Sequence, residues 1–175
     1  MRTVINILML AVLLGTAGCS TCGKTEIKNF HQVNPEIYRS SQPDKQQMRI
    51  LVDVYGIKSV INLREYHSDV DETADLPVKL YEIPLAAGNL SEDDLQKVLQ
   101  VMKKAPKPLL VHCMHGSDRT GAVIAAYRIA CENYPPEKAI DELKNSIFGH
   151  HKYTYPNIEH LLRSIKWHDF RNALQ

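Results

Sequence analysis

Apolar and polar positions along the chain follow two patterns, one that predicts strands and one that predicts helices, and the two alternate. Short runs rich in apolar residues predict buried strands, at residues 37–39, 58–63, 79–85 and 109–112. Apolar residues three or four positions apart predict amphipathic helices, beginning near Pro43, Ser91, Pro136 and Pro156. Residues 122–131 are apolar on nearly every side, which predicts a central buried helix. We therefore expect an α/β fold, a small central sheet flanked by helices.

The first 18 residues have the pattern of an export signal. A positive start is followed by apolar residues 4–14, interrupted only by Asn6, and then by small residues that lead to Cys19. Such a stretch is too short for a stable membrane span. The small residues before Cys19 resemble a bacterial lipoprotein signal, in which that cysteine is lipidated. A plain secretory signal cut nearby is the alternative.

Behind this signal peptide (1–18) we expect a tether and one domain. Residues 19–29 are small and polar, which is typical of a tether. Residues 30–175 then form the folded domain. These features predict a periplasmic protein with a lipid anchor to a membrane. By resemblance to other lipoproteins, Ser20 in place of an aspartate favours the outer membrane over the inner one.

Composition narrows the possible partners and cofactors. The chain has 21 Lys and Arg against 20 Asp and Glu, a net charge of +1. It therefore lacks the basic excess typical of nucleic-acid binding, and no nucleic-acid partner is expected. His150, His151, His160 and His168 do not have the spacing of a metal site. No metal or cofactor is expected.

Between the strand at 109–112 and the buried helix lies the sequence Val-His-Cys-Met-His-Gly-Ser-Asp-Arg-Thr-Gly, residues 111–121. A short loop at a helix N-terminus can point successive backbone N–H groups inward and bind an anion. We expect the loop to bind phosphate through Met114, His115, Gly116, Ser117, Asp118 and Arg119.

Within this loop, five residues separate Cys113 from Arg119. Arg119 can grip two phosphate oxygens with its planar guanidinium. The positive helix end and Arg119 favour the thiolate of Cys113, which is the nucleophilic form of cysteine. We expect His112 to orient the loop by hydrogen bonding and Thr120 to donate its hydroxyl to the sulfur.

The His-Cys-x5-Arg-Thr-Gly sequence resembles the signature loop of the cysteine-dependent protein tyrosine and dual-specificity phosphatases. Residues 37–43, 56–64 and 125–129 resemble a bacterial branch of the dual-specificity group that includes exported, periplasmic enzymes. The likeness covers roughly residues 30–165. Low-molecular-weight phosphatases and arsenate reductases share Cys-x5-Arg, but there the loop follows the first strand.

The resemblance implies a phosphatase domain that hydrolyses phosphotyrosine through a cysteinyl-phosphate intermediate, with phosphoserine and phosphothreonine as further substrates. Cys113 and Arg119 are then the catalytic residues. The expected partners are phosphorylated proteins of the envelope or membrane.

The general acid that would protonate the leaving group cannot be identified directly from the sequence. Related enzymes use an aspartate on the loop after the preceding strand, where this chain has Gly88. Asp93 is one substitute, although carboxylates in the first turn of a helix also favour the helix dipole. Asp118 is another, with the alternative that it orients a neighbour by hydrogen bonding. Asp69, Asp71 and Glu72 are further candidates for the acid, since they lie in a charged loop that could move over the site.

Three functions stay open. The first is a protein phosphatase that prefers phosphotyrosine, because without the usual acid a phenol, with a pKa of about 10, leaves more easily than an alkoxide. An inositol-phosphate or other small phosphoester or phosphoanhydride phosphatase is the second, and the absence of Lys and Arg between Cys113 and Arg119 disfavours it. The third is a phosphate-binding pseudophosphatase module, which would not require the thiolate. Arg39 and Arg64 are interpreted as surface ion-pair partners that could also contact substrate.

Overall fold

The computed structural model describes residues 26–175. The expected signal peptide, the lipidation site at Cys19 and the first part of the tether lie outside these residues. Within residues 26–175, no helix combines the length and the apolar character needed to cross a membrane.

Five strands and seven helices make up the described part of the chain. The strands are β1 His31–Asn34, β2 Ile37–Ser40, β3 Ser59–Asn62, β4 Lys79–Glu82 and β5 Leu109–His112. The helices are α1 Lys45–Asp53, α2 Val70–Thr73, α3 Glu92–Lys104, α4 Asp118–Cys131, α5 Pro136–Lys144, α6 Pro156–Ser164 and α7 Trp167–Ala173. Two single 3-10 turns, Ala87–Asn89 and Ser146–Phe148, complete the list.

The strands form one sheet in the order β1-β2-β5-β3-β4. β1 is antiparallel to β2, and the other neighbours are parallel. All four residues of β5 are buried, because this strand lies in the middle of the sheet with helices on both faces. The predicted α/β fold with a small central sheet is confirmed.

Alternate residues of the strands point to opposite faces and so divide the apolar core in two. On one face Val60 and Leu110 pack with Met48 and Leu51 of α1. On the other face Leu109 and Val111 pack against the apolar residues of α3 to α7. Helix α4 is the central helix of that layer, with nine buried residues. Its nearly uniform apolar surface predicted this position.

Two elements were missed, because their sequences carry little apolar periodicity. β1 (His-Gln-Val-Asn) is only half-buried, and α7 is a seven-residue helix. The predicted strand at 79–85 ends at Glu82, although Ile83 and Leu85 stay buried. The predicted tether also differs, since Ile27 packs on the core and the carbonyl of Lys28 accepts a hydrogen bond from Ser41 N. Residues 26–29 therefore pack against the domain.

Candidate active site

The Cys113–Arg119 loop connects the carboxyl end of the central strand β5 to the N-terminus of α4. Cys113 is almost fully buried at the base of the loop. Helix α4 has 14 residues, so its positive N-terminal end acts directly on the loop. This position follows from the sheet order, since a ligand binds beyond the carboxyl ends of parallel strands.

Three carbonyl groups of the loop are held by donors from outside it. Met114 O accepts from Gln42 N at 3.2 Å, His115 O from Asn29 Nδ2 at 3.0 Å, and Gly116 O from Arg39 Nη2 at 2.7 Å. Within residues 26–175, no amide of residues 114–118 donates to a backbone carbonyl. With its carbonyls turned outward, the loop has amides free to bind an anion.

Arg39 is the largest fully buried side chain of the described domain. Besides its bond to Gly116 O, its guanidinium lies 4.2 Å from the centre of the Phe148 ring. Burial lowers the pKa of Arg39 to about 10, which leaves it charged at neutral pH, and Cys113 is one of the groups that its charge faces. The interpretation of Arg39 as a surface ion-pair partner is wrong, because β2 is an inner strand and runs beneath the loop.

Gly116 allows the loop to lie directly on β2. Its φ is +70°, and an added Cβ would lie 2.5 Å from the carbonyl carbon and oxygen of Ser40. Backbone atoms cannot move aside as a flexible side chain does. Gly116 is therefore needed both for its left-handed conformation and for its lack of a side chain.

We expect Gly116→Ala to lower the free energy of unfolding by roughly 2–5 kcal/mol, the sum of left-handed strain and overpacking. Two glycines separate these causes. Gly56 also has a positive φ of +68°, but a Cβ there meets nothing within 4 Å, so Gly56→Ala should cost about 1–2 kcal/mol. Gly88 has open space and no positive φ, so Gly88→Ala should change stability by less than about 0.5 kcal/mol. Urea denaturation measures all three, and equal losses for Gly116 and Gly56 would contradict the steric contact.

His112 is fixed by a buried carboxylate. Its Nε2 lies 2.5 Å from Asp69 Oδ2, and both side chains are fully buried. Asp69 also accepts from Gln42 Nε2 at 2.8 Å. Burial alone would raise the pKa of Asp69, but the hydrogen bonds from His112 and Gln42 hold it below its usual value. Asp69 is thus an ionised support beneath the loop, in agreement with the orienting role expected for His112.

A pocket of about 250 Å³ opens above the loop. It is lined by Ala87, Cys113, Met114, His115, Asp118, Arg119, His151, Thr154 and Tyr155. The pocket joins Cys113 to Arg119, whose Nη1 faces the carbonyls of Leu63 at 3.5 Å and Leu85 at 3.3 Å. Gly116 and Ser117, also expected to bind phosphate, do not line this pocket, and Ser117 is buried.

Asp118 holds the segment that covers one side of the pocket. Its carboxylate accepts from His150 Nδ1 at 2.7 Å, from His151 Nδ1 at 2.8 Å and from the His151 backbone N at 2.8 Å. Burial would raise the pKa of Asp118, but these hydrogen bonds lower it to about 2. Asp118 therefore carries a negative charge at neutral pH. The histidine pair 150–151 had no assigned part in the sequence-based site.

The other acid positions lie away from the pocket walls. Ala87 is the residue of the β4–α3 connection that reaches the pocket, and it has no proton to give. Asp93 is exposed in the first turn of α3, behind the Ser91–Asp94 capping box. The Thr120 hydroxyl is buried without a hydrogen-bond partner among residues 26–175, so the expected bond to the sulfur is not formed.

One group of side chains in the described chain has the geometry to hold a metal ion. Ligand atoms of His67, Asp69 and Glu72 lie within 4.8 Å of one another. His67 Nε2 is 3.3 Å from Asp69 Oδ1 and 3.2 Å from Glu72 Oε1. A protonated histidine between two carboxylates has the same geometry. The histidines considered from the sequence do not form such a group.

Comparison with known proteins places this loop in a family. A family model described as the tyrosine phosphatase family matches residues 25–157. The dual specificity protein phosphatase TpbA of Pseudomonas aeruginosa is 29% identical over 125 residues, 69% of this chain and 56% of the relative. The inositol diphosphatase SIW14 of Saccharomyces cerevisiae is 31% identical over 130 residues, 69% of this chain and 46% of the relative. The chain thus spans about half the length of these curated relatives.

Solved structures show the same fold. The crystal structure of P. aeruginosa TpbA has a TM-score of 0.74 at 24% identity, covering 84% of this chain and 91% of that chain. The core catalytic domain of SIW14 has a TM-score of 0.71 at 24% identity, covering 83% and 90%. Because the family model matches residues 25–157, which include the Cys113–Arg119 loop, the chain belongs to the tyrosine phosphatase family.

Proposed function

We propose that this protein is a phosphatase that hydrolyses aryl phosphate monoesters, phosphotyrosine in proteins above all, through a cysteinyl-phosphate intermediate on Cys113. The observation that carries the proposal is the pocket shared by Cys113 and Arg119, above a loop whose amides donate to no backbone carbonyl of residues 26–175. Cys113 attacks the phosphorus, and Arg119 clamps the phosphoryl oxygens as charge moves onto the leaving oxygen. Water then hydrolyses the intermediate. A pseudophosphatase module would need the amides and Arg119 but not Cys113.

The charge of the pocket supports a substrate with a single phosphate. Among residues 26–175, Arg119 is the one lysine or arginine that lines it, and Asp118 adds a negative charge. Met114, half-exposed, and Tyr155 offer apolar surface beside the phosphate position. A flat aromatic leaving group fits these walls, whereas an inositol polyphosphate would bring several charges to one arginine.

The relatives support two substrate classes. One bears the name of a dual specificity protein phosphatase and the other that of an inositol diphosphatase. When the terminal phosphoryl group of a diphosphate is transferred to Cys113, the leaving group is the remaining phosphate ester, which needs little help from an acid. The position of Ala87 on the pocket wall, where an acid is expected, is compatible with this substrate class. The pocket charge favours a phosphoprotein substrate, and the rate on a diphosphoinositol compound tests this preference.

We further propose that the protein acts at the bacterial envelope, held by a lipid on Cys19, most simply at the outer membrane. The support is the sequence pattern of residues 1–19. Its substrates would then be phosphorylated proteins of the periplasm or membrane. Mass spectrometry of the mature N-terminus in bacterial cells, comparing the wild type with Cys19→Ala, tests the anchor.

A comparison of kcat/KM on three substrates tests the function: a phosphotyrosine peptide, the same peptide with phosphoserine, and a diphosphoinositol polyphosphate. We expect the phosphotyrosine peptide to exceed the phosphoserine peptide by at least about tenfold, since a phenolate with a pKa near 10 leaves more readily than an alkoxide. Equal rates on both peptides would contradict aryl specificity. A higher kcat/KM on the diphosphoinositol compound would assign the pocket to phosphoanhydrides. Phosphate binding without turnover of any substrate would favour the pseudophosphatase.

A further inference from the structure

The reaction proposed for this pocket needs a proton donor for the leaving oxygen, and no carboxyl group of the described chain is placed to supply it. Ala87 occupies the pocket wall on the β4–α3 side. Asp118 reaches the pocket, but three hydrogen bonds hold it as the carboxylate, with a pKa of about 2. A group that is already ionised at neutral pH cannot donate a proton.

His151 is the side chain that these hydrogen bonds place at the pocket. Asp118 Oδ2 accepts from its Nδ1, and Asp118 Oδ1 accepts from its backbone N. Because a carboxylate only accepts, Nδ1 carries a proton and Nε2 is the nitrogen left for other partners. The side chain is 50% exposed and lines the same pocket as Cys113 and Arg119.

The pairing of an imidazole with a buried carboxylate has a known use in catalysis. The carboxylate fixes the ring and stabilises the charge that the imidazole carries during proton transfer. Histidine also changes charge between pH 5 and 8, so it can give and take a proton near neutral pH. His150 binds the same carboxylate, but its side chain is 1% exposed and is not a pocket wall.

The other proton-bearing groups of the pocket fit less well. His115 lies on the loop itself, its ring 5.8 Å from that of His151, and its side chain has no hydrogen bond to the described residues that would orient it. Tyr155 also lines the pocket, but no hydrogen bond to a described residue orients its hydroxyl. Besides His151, the charged and titratable groups that line the pocket are Asp118, His115, Cys113, Arg119 and Tyr155, and His150 shares the Asp118 carboxylate.

We propose that His151, positioned by Asp118, is the general acid and base of this site, an assignment that rests on the phosphatase function proposed above. In the first step the Cys113 Sγ–P bond forms and the P–O bond to the leaving group breaks. The leaving oxygen takes the proton from Nε2 of the His151 imidazolium. In the second step neutral Nε2 accepts a proton from the attacking water, the S–P bond breaks, and inorganic phosphate and the Cys113 thiolate are released.

The test compares phenyl phosphate with p-nitrophenyl phosphate, whose phenol is more acidic and needs less protonation. We expect His151→Gln to lower kcat on phenyl phosphate about 10²–10⁴-fold, the usual contribution of a general acid, and to lower it far less on p-nitrophenyl phosphate. The descending limb of the pH profile of kcat/KM should disappear in this variant. His115→Gln is the matched control, since it removes a neighbouring imidazole of the same pocket, and it should affect both substrates equally.

Asp118→Asn adds a second readout. It should lower kcat on phenyl phosphate in the wild-type protein and much less in the His151→Gln background, because it acts through the imidazole. A His151→Gln variant that loses the same factor on both substrates, or that keeps the descending limb, would overturn the role of His151 alone. A wild-type protein inactive on both aryl phosphates would instead overturn the proposed function, and this role with it.

Discussion

Cys113→Ser is expected to abolish turnover of p-nitrophenyl phosphate, with a fall in kcat of at least about 10³-fold. Serine has nearly the same shape, but its hydroxyl stays protonated at neutral pH. The carboxylate of the site, Asp118, is fully engaged with His150 and His151, so it cannot activate that hydroxyl. The thiolate is the nucleophilic form of cysteine, and serine cannot provide it.

The loss should be confined to chemistry. Because the loop amides and Arg119 are unchanged, Cys113→Ser should still bind orthophosphate, which calorimetry measures. Cys131→Ser is the matched control, since Cys131 is a free cysteine lining a separate cavity beside Lys107. We expect it to keep the kcat of the wild type. Retained turnover in Cys113→Ser, or an equal loss in Cys131→Ser, would rule out Cys113 as the nucleophile.

Arg119→Lys is expected to lower kcat about 10²–10³-fold, the usual cost of removing a donor that stabilises transition-state charge. Lysine keeps the positive charge but loses the planar fork that binds two oxygens at once. The carbonyls of Leu63 and Leu85 lie on one side of the Arg119 guanidinium and help to aim it. An ammonium group at the end of a flexible chain does not have this alignment.

Separate effects of Arg119→Lys on kcat and on KM show whether Arg119 binds the transition state or the substrate. If Arg119 binds the transition state better than the substrate, kcat should fall more than KM rises. Arg64→Lys is the control, because Arg64 donates to Gln42 Oε1 at 3.1 Å and is not a wall of the pocket. Steady-state kinetics on p-nitrophenyl phosphate measure both variants. An Arg119→Lys enzyme within twofold of the wild-type kcat would contradict the clamp.

Much of the fold follows from local sequence. Pro43 and Ser91 predicted where α1 and α3 begin, and the structure shows that capping boxes at Asp44 and Ser91 start these helices. The apolar surface of residues 122–131 predicted the central helix. The order of strands and helices was enough to expect an α/β sheet. These features depend on residues within one or two turns of one another, and such interactions can be recognised by spacing alone.

The residues that hold the phosphate loop in place cannot be recognised from their spacing in the sequence. Arg39 and Gly116 are 77 residues apart, and Asp69 and His112 are 43 apart. The sheet order brings them together by placing β5 between β2 and β3. A buried arginine and an exposed one look alike in sequence, since both can lie at the end of a strand. The tertiary contact alone distinguishes them.

By itself, the sequence predicted Cys113 as the nucleophile and Arg119 as the phosphate-binding arginine, because both lie with their strand and helix within one short segment. It also predicted the fold class, which the structure confirms. The tertiary structure decided how that loop is held. Arg39 donates a hydrogen bond to the Gly116 carbonyl, and the carboxylates of Asp69 and Asp118 bind His112 and the 150–151 histidines. It also decided that Asp118 is ionised and that His151 reaches the pocket. The physical reason is that charge and hydrogen-bonding state depend on burial and on partners distant in sequence, which form only when the sheet and helices pack.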